Sequence, residues 1–292
     1  MFLIVDGNSL LNIQYHGQKH ASIYDRKDAS DAVIDIILKY LKKYPVLDHV
    51  CVVLDASREE TFRRSLYAPY KAHRDEAEEE LKKEKIALKE KLTKMGIITL
   101  MHPVFEADDF AGTLVKKFSK DDKIVLLTRD QDYLQLIQDR ICLWLIKDEK
   151  KVFELSAKYG EQGKVNQKTY AYGKNICYQE YGIYPEQISD FKGICGDTAD
   201  NIPGINGLGP KIAVPLLNEY KTLENIIFEI ENKEKSEIKK EWKQKFGIGP
   251  AKVEKLYQGI EMGILSKRLA TIFQDIPNGF RYEDFTVPER LW

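Results

Sequence analysis

Acidic side chains recur in this sequence in short motifs that could hold a divalent metal ion. The motifs are Val5-Asp6-Gly7-Asn8, Glu106-Ala107-Asp108-Asp109, Thr128-Arg129-Asp130-Gln131-Asp132 and Gly196-Asp197-Thr198-Ala199-Asp200-Asn201, with Asp55 as a fifth element after Val53-Leu54. Oxygen ligands that are not accompanied by histidine or cysteine favour Mg²⁺ or Mn²⁺ over zinc. Two such ions about 4 Å apart can activate a water and stabilise the leaving oxygen during phosphodiester hydrolysis. The residue types therefore indicate metal-dependent chemistry on a phosphodiester.

Several of these carboxylates come shortly after apolar runs that predict buried strands. The runs are Phe2–Val5, Val50–Leu54, Ile97–Leu100 and Ile124–Leu127, separated by helical patterns such as Ala29–Tyr44. This alternation predicts an α/β fold with a mostly parallel central sheet that has helices on both faces. Ligands of such sheets bind beyond the carboxyl ends of the strands. Asp6, Asp55 and Asp130 fall at those ends, so we expect the metal site there.

A carboxylate after a strand also has a simpler interpretation, as a helix cap or turn former. That interpretation stays open for Asp6 and Asp55 taken singly. A set of carboxylates at one edge of a sheet is different, because their repulsion and lost hydration are costly unless a cation neutralises them. The metal-site hypothesis therefore depends on the motifs together.

Two further segments predict structure rather than chemistry. Residues 71–95 are highly charged, with apolar residues at scattered helical spacings, which is typical of a solvated surface helix. Ile141–Ile146 and Val152–Leu155 lie on either side of a charged stretch and predict a β-hairpin.

From Tyr181 onward the pattern is helical and punctuated by glycine. Within this region, Asp200–Lys211 predicts a turn between two helices. Gly207 and Gly209 would let the backbone approach a phosphate closely at the start of the second helix. A plain helix connection is the alternative interpretation of such a turn.

The overall composition allows a nucleic-acid partner without requiring one. The net charge of the 292-residue chain is −1, and leaving nine site carboxylates out of that balance gives +8 for the remainder. The first apolar run, Met1 to Val5, is too short for a signal peptide or a membrane span, so no membrane partner is expected. The four cysteines lack C-x-x-C spacing, which indicates free thiols in a reducing cytoplasm.

Together these motifs resemble the 5′-nuclease, or flap endonuclease, family, which includes bacteriophage 5′-exonucleases and the N-terminal nuclease domain of bacterial DNA polymerase I. The resemblance extends from Leu3 to about Ile272 and includes residues 61–74 and 181–188. It implies nine metal ligands, none of them missing: Asp6, Asp55, Glu106, Asp108, Asp109, Asp130, Asp132, Asp197 and Asp200. It places the ligands of a second ion around Asp132, Asp197 and Asp200.

The segment Tyr70-Lys71-Ala72-His73-Arg74 matches the motif at the base of the family's helical arch or clamp, expected over about residues 70–95. On a helix, Lys71 and Arg74 would share a face because they are three residues apart. Beside metal ions they could neutralise charge on the scissile phosphate, and Tyr70 could stack on an unpaired base. Whether residues 75–95 contact a single strand or form only a solvated helix stays open.

The turn at 200–211 resembles the family's helix–three-turn–helix, expected over about residues 190–220, which grips duplex DNA away from the cut. The resemblance implies a K⁺ ion held by loop carbonyls and phosphate contacts from Gly207, Gly209 and Lys211. The later segment Phe246–Val253 repeats the Gly-x-Gly-Pro pattern and is interpreted as structural.

Three positions depart from the family pattern. Ile13 stands where an arginine is usual and Ile212 where a threonine is common. Pro215 falls inside the expected second helix of the turn, where it removes a hydrogen bond and favours a kink. These departures concern the grip on DNA and leave the metal site intact.

The resemblance predicts a structure-specific 5′-nuclease, with flap endonuclease and 5′→3′ exonuclease activity and a two-metal mechanism. Its expected substrates are DNA with 5′ flaps, free 5′ ends or junctions of single and double strands, and RNA–DNA hybrids at primers. We expect a monomer in which residues 1–180 form the nuclease core and residues 181–292 form a helical region packed on it. The expected location is the bacterial cytoplasm, for a cellular or a phage protein.

Two other functions were considered. A DNA-binding relative without activity is disfavoured by the complete carboxylate set and Lys71, because an acidic pit repels phosphate. An RNA-directed nuclease of the PIN type would share the acidic sheet, but the turn at 200–211 and the chain length disfavour it.

Overall fold

The computed structural model describes residues 1–18, 28–56 and 60–291. The chain divides into two compact units. The sheet unit comprises residues 1–61, 75–173 and 272–292, and the helical unit comprises residues 62–74 and 174–271. The two units alternate along the chain, so their boundaries differ from the expected division at residue 180.

The described part of the sheet unit is built around seven strands. They are β1 (Phe2–Asp6), β2 (His49–Val53), β3 (Ile98–Leu100), β4 (Ile124–Thr128), β5 (Ile141–Ile146), β6 (Lys164–Asn166) and β7 (Thr169–Tyr172). Their order is β3-β2-β1-β4-β5-β7-β6, in which β1 to β5 are parallel and β7 and β6 are antiparallel. The strand order reverses between β1 and β4, and α/β sheets bind ligands at such a switch point.

Helices make up most of the remaining described chain. They are α1 (Gly7–Gln18), α2 (Ala29–Lys43), α3 (Phe62–Leu66), α4 (Glu79–Met95), α5 (Ala107–Phe118), α6 (Glu149–Tyr159), α7 (Lys174–Tyr181), α8 (Ile188–Cys195), α9 (Pro210–Tyr220), α10 (Leu223–Glu231), α11 (Lys235–Phe246) and α12 (Pro250–Ala270). None of the helices in these described ranges is both long and apolar enough to cross a membrane.

Both faces of the sheet are covered, which confirms the predicted fold class. Side chains alternate between the faces of a strand. Leu3 and Val5 of β1 belong to a buried cluster that also contains residues of α1, α2 and α4. Phe2, on the other face, packs against Phe118 of α5 and Phe285, with ring centroids 6.2 and 5.0 Å apart. The sheet therefore lies between two layers, with the central strands β1 and β4 fully buried.

The β-hairpin predicted over residues 141–155 is wrong in its second half. The first run forms β5, but the second lies in α6, where Asp148 caps the helix by accepting the Lys151 N–H at 2.7 Å. Val152 and Leu155 are buried at a spacing that suits a helix. A four-residue apolar run is too short to distinguish the periodicity of a helix from that of a strand. The local signal for a helix is Asp148, at the position of its N-cap. The strands beyond β5 come instead from residues 164–172.

The charged segment 71–95 forms a helix over only part of its length. Residues 75–78 are irregular and α4 follows them. Leu81, Leu88 and Leu92 are buried in the core of the sheet unit. The interpretation as a solvated helix therefore holds only for the outer face of α4.

Arg63 connects two distant segments of the helical unit. Its side chain is 1% exposed, and its guanidinium donates to the carbonyl oxygens of Leu269 and Thr271 at 2.9 and 3.0 Å. A buried guanidinium is costly unless acceptors surround it. These bonds hold the segment 62–74 against the end of α12.

Gly112 of α5 packs closely against the segment that follows α12. A Cβ at this position would lie 2.6 Å from Ile272 Cγ2 and 3.2 Å from the Phe273 carbonyl oxygen. Gly112→Ala should lower the free energy of unfolding by about 1–3 kcal/mol, as overpacking does, although alanine favours a helix by about 1 kcal/mol. Urea unfolding measures the change. Gly17→Ala in α1 is the control, because no atom in the part of the chain that the structure describes lies within 4 Å of its Cβ position. A stabilised Gly112→Ala would contradict the packing.

Candidate metal centre and nucleic-acid interface

Asp6 ends β1 at the switch point and is only 5% exposed. One carboxylate oxygen accepts the Ser9 backbone N–H at 3.0 Å, and the other accepts the hydroxyls of Ser9 and Thr128 at 2.6 and 2.5 Å. Asp6 therefore caps α1, as the simpler interpretation of this position proposes. Burial raises the pKa of Asp6, these hydrogen bonds oppose the shift, and the nearby charge of Asp55 adds to it.

Three carboxylates meet at the start of α5. Oxygen atoms of Glu106, Asp108 and Asp109 all lie within 4.8 Å of one another. Asp55, which follows β2, accepts the Ala107 N–H at 2.7 Å and is thereby fixed beside the same helix N-terminus. An oxygen-only donor set of this kind fits a hard divalent cation. The structure thus brings Asp55 and the Glu106–Asp109 motif together at the start of α5.

Asp109 also has a structural role that the sequence analysis did not identify. Its side chain is fully buried, and its two oxygens accept the backbone N–H groups of Glu106 and Phe273 at 3.0 and 2.8 Å. The first bond caps α5, and the second holds the segment that follows α12. Asp109 therefore supports the fold as well as belonging to the carboxylate group at the start of α5.

Asp130 and Asp132 follow β4 and are less buried than Asp6. The Asp130 N–H donates to Thr128 Oγ1 at 2.9 Å, and the Asp132 N–H donates to Asp130 Oδ1 at 2.9 Å. Since Thr128 also donates to Asp6, it connects the ends of β1 and β4. Ser9 and Thr128 are not among the site residues predicted from the sequence. The Asp-x-x-Ser spacing signals the cap at Ser9, whereas the contact of Thr128 depends on strand order.

In the helical unit, the two predicted cations converge on Asp200, which is 6% exposed. Arg74 donates to one oxygen of Asp200, and Lys71 Nζ lies 3.5 Å from the other. Residues 71–74 form a turn, with Lys71 at φ 51°, so the expectation of a shared helix face is wrong. The Lys71 N–H, which donates to the Asp200 carbonyl at 2.9 Å, fixes the turn instead.

Tyr70 is too buried for the base stacking that its aromatic ring suggested. Its side chain is 3% exposed and packs with Ile202, Leu269 and Ala270 in a small buried cluster. Its hydroxyl lies 3.4 Å from an oxygen of Asp200. The ring therefore supports the turn that carries Lys71 and Arg74.

Asp197 is compensated within the helical unit by Lys192. The ammonium of Lys192 lies 2.6 Å from one oxygen of Asp197, and the Ala199 N–H donates to the other at 2.8 Å. Burial, the largest single influence, would raise the pKa of Asp197, but Lys192 and the backbone N–H donors of Ala199 and Asp200 together lower it. The sequence analysis did not single out Lys192, because nothing in its local sequence signals that contact.

The predicted turn between two helices joins α8 to α9. Gly204 and Gly207 have positive φ angles of 63° and 75°. Gly209 has an extended backbone, and a Cβ there would meet no atom of the described residues within 4 Å. Neither strain nor described packing requires glycine at 209, so the open backbone is free for close approach by a ligand.

Lysines surround this turn. Lys211 is exposed in the first turn of α9, and Lys252 of α12 donates to the Gly207 carbonyl oxygen at 2.8 Å. The segment 246–253, interpreted as structural, therefore contributes a cation to the turn. Helix α9 is continuous from Pro210 to Tyr220, although Pro215 lies inside it.

Known proteins resemble both parts of the chain. Residues 1–168 match the family described as 5′-3′ exonuclease, N-terminal resolvase-like domain, and residues 183–290 match 5′-3′ exonuclease, C-terminal SAM fold. The 5′-3′ exonuclease of Buchnera aphidicola subsp. Acyrthosiphon pisum is 30% identical, over 98% of this chain and 91% of its own length. DNA polymerase I of Caldicellulosiruptor bescii is 32% identical over 98% of this chain, which spans 30% of the polymerase.

The fold also matches a solved nuclease. The bacteriophage T5 flap endonuclease, in a pseudo-enzyme-product complex with DNA and metal ions, superposes with a TM-score of 0.66. The match covers 93% of this chain and 89% of that chain at 20% sequence identity. It supports the assignment of the fold, and the sequence matches confirm the resemblance drawn from the motifs. The chain belongs to the 5′-3′ exonuclease family.

Proposed function

We propose that this protein is a metal-dependent 5′-nuclease that hydrolyses phosphodiesters near 5′ ends and flaps of DNA. The observation that carries the proposal is the crowding of carboxylates at the carboxyl edge of the sheet, with three of them within 4.8 Å at the start of α5. Membership of the 5′-3′ exonuclease family supports the class of reaction. The complex of the T5 flap endonuclease with DNA and metal ions supports the class of substrate.

The sheet unit supplies most of the proposed ligands for Mg²⁺ or Mn²⁺. We define the sheet-unit carboxylates as Asp6, Asp55, Glu106, Asp108, Asp109, Asp130 and Asp132. The helical unit adds Asp197 and Asp200 to the proposed set, following the family motif. Bound ions would make water more acidic and stabilise the leaving oxygen, as in two-metal hydrolysis. The protein holds the carboxylates in position through backbone N–H and hydroxyl donors, so little reorganisation is needed when an ion binds.

Lys71 and Arg74 are proposed to neutralise negative charge on the scissile phosphate. Asp200 holds both cations in one place, and fixed cations stabilise developing charge better than mobile ones do. The burial of Tyr70 gives this turn a rigid base. The role of these residues is therefore electrostatic, with Asp200 as the orienting group.

The turn between α8 and α9 is proposed to bind duplex phosphates. The open backbone at Gly209 and the exposed Lys211 support this proposal, since helix N-termini with free backbone groups favour anions. A K⁺ ion on the carbonyl groups of the turn belongs to the same proposal. We further propose that the protein acts as a monomer and removes RNA primers from RNA–DNA hybrids.

Asp130→Asn tests the proposed function most directly. The exposed side chain contributes little to packing, so the fold should persist while cleavage in Mg²⁺ is nearly abolished through loss of a ligand. Labelled flap, nicked and single-stranded DNA and RNA–DNA hybrids form the substrate panel. Asp121→Asn is the matched control, because this exposed carboxylate precedes β4 instead of following it.

Each outcome of that panel has a distinct meaning. Normal turnover by Asp130→Asn excludes Asp130 from the site. A wild-type protein that cleaves none of the substrates in Mg²⁺ or Mn²⁺ overturns the nuclease proposal. Cleavage restricted to RNA supports the alternative of an RNA-directed nuclease.

Lys71→Ala tests the electrostatic role of the turn. Turnover at saturating flap DNA should fall by about 10²-fold or more, the scale of losing one preorganised donor. Single-turnover rates separate this effect from binding, and Lys243→Ala, at an exposed position of α11, is the control. A change in affinity alone would make Lys71 a binding residue and refute its catalytic assignment.

Lys211→Ala tests the contact with duplex DNA. Phosphate contacts carry no sequence information, so affinity should fall equally for every duplex sequence. The slope of log affinity against log salt should flatten by nearly one unit. Binding is measured in Ca²⁺ across a salt series, with Lys243→Ala, at an exposed position of α11, as the control. An unchanged slope would leave the turn as a plain helix connection.

A further inference from the structure

The hydroxyl of Tyr133 is buried without a hydrogen-bond partner among the residues that the structure describes. The side chain is 2% exposed and lies in the short 3₁₀-helix Gln131–Leu136, which Asp130 caps. Buried polar atoms are almost always paired, because an unpaired one destabilises the fold. The Tyr133 hydroxyl therefore requires an explanation.

Other buried tyrosines of the sheet unit follow the usual pattern. The Tyr170 hydroxyl donates to the Gly160 carbonyl oxygen at 2.8 Å, and the Tyr40 hydroxyl lies 2.9 Å from Thr169 Oγ1. Each of these hydroxyls has a partner within the fold. A ring that served only to fill space at position 133 could have been phenylalanine, which has no polar atom to satisfy.

The groups near Tyr133 indicate a role for its hydroxyl at the carboxylates of the sheet unit. Burial raises the pKa of the phenol, and four of the sheet-unit carboxylates raise it further: Asp6, Asp108, Asp130 and Asp55. The phenol thus lies within electrostatic reach of carboxylates from the ends of β1, β2 and β4 and from the start of α5. A phenol hydroxyl carries a proton that it can donate in a hydrogen bond.

We propose that Tyr133 is a positioning residue of the metal centre, and that its hydroxyl hydrogen-bonds to a water on the ion held by the sheet-unit carboxylates. This inference depends on the proposed function, because it requires an ion there. Mg²⁺ keeps several waters when it binds to carboxylates, and a phenol can both donate and accept. The proposal gives the buried hydroxyl its missing partner.

The carboxylates and Tyr133 contribute differently to such a centre. The carboxylates supply charge and direct ligand atoms, whereas the phenol adds no charge and fixes the orientation of a water. Groups that act beyond the direct ligands typically change metal affinity by about 10- to 100-fold. A structural role for Tyr133 predicts no such change, so metal affinity separates the two interpretations.

Tyr133→Phe is the test, with Mn²⁺ binding to the full chain measured by electron paramagnetic resonance in the absence of DNA. We expect affinity for Mn²⁺ to fall by about 10-fold or more. The melting temperature without metal should stay the same or rise, because an unpaired buried hydroxyl is removed. The rise in melting temperature on adding Mn²⁺ should shrink. Unchanged affinity for Mn²⁺ would overturn the proposal.

Tyr170→Phe is the matched control within the same unit. It removes the hydrogen bond to Gly160, so its melting temperature should fall while its affinity for Mn²⁺ stays at the wild-type value. An equal loss of Mn²⁺ affinity in Tyr170→Phe would mean that any loosening of the sheet unit weakens binding, and the specific role of Tyr133 would be refuted.

Asp130→Asn in the same assay separates this inference from the proposed function. If wild type and Asp130→Asn bind Mn²⁺ equally, the proposed metal centre itself is wrong, and the role of Tyr133 falls with it. If Asp130→Asn weakens binding and Tyr133→Phe does not, the metal centre stands and only the role of Tyr133 is refuted.

Discussion

The carboxylate of Asp6 is buried at the end of β1, next to the point where the strand order of the sheet reverses. A charge in that place is costly unless polar groups surround it. The fold meets this requirement with the N–H and hydroxyl of Ser9 from α1 and the hydroxyl of Thr128 from β4. The same three bonds fix the relative positions of one strand, the helix that follows it and the neighbouring strand. The hydrogen bonds that stabilise the Asp6 carboxylate therefore also fix the carboxyl ends of β1 and β4, near which other acidic residues lie.

The helical unit solves a similar problem with different groups. Asp200 is nearly as buried as Asp6, but Arg74 and Lys71 compensate it, and Lys192 compensates Asp197. In the sheet unit, the described donors to Asp6 are hydroxyl and backbone N–H groups, which hydrogen-bond to the carboxylate without supplying positive charge. A cation bound beside Asp6 would supply that charge. Uncharged hydrogen-bond donors thus hold Asp6 in the sheet unit. Lysine and arginine side chains hold Asp197 and Asp200 in the helical unit.

Local sequence was sufficient for the features that depend on short-range patterns. The apolar runs located the ends of β1, β2 and β4, and with them Asp6, Asp55 and Asp130. The same reasoning failed where periodicity was ambiguous, as at Val152 and Leu155. It also failed where backbone conformation was unusual, as at Lys71, whose positive φ replaces the expected helix.

Contacts between residues far apart in the chain could not be predicted. The partner of Thr128 lies 122 residues away at Asp6, and that of Asp109 lies 164 residues away at Phe273. Both contacts depend on strand order and on the path of the chain after α12. The burial of Tyr70 has the same origin, because its neighbours Leu269 and Ala270 lie at the end of α12. The residue types indicate which hydrogen bonds or ring contacts these side chains can make. The partners that they have in the fold depend on long-range packing.

The buried guanidinium of Arg63 has a consequence for synthesis on the ribosome. One of its acceptors, the Leu269 carbonyl oxygen, lies 206 residues downstream. At about 5–20 residues per second, the nascent segment 62–74 waits roughly 10–40 s for that acceptor to be made. During that interval the arginine stays hydrated, because a lone buried cation is too costly. The helical unit therefore cannot be completed until Leu269 has been synthesised, 206 residues after Arg63.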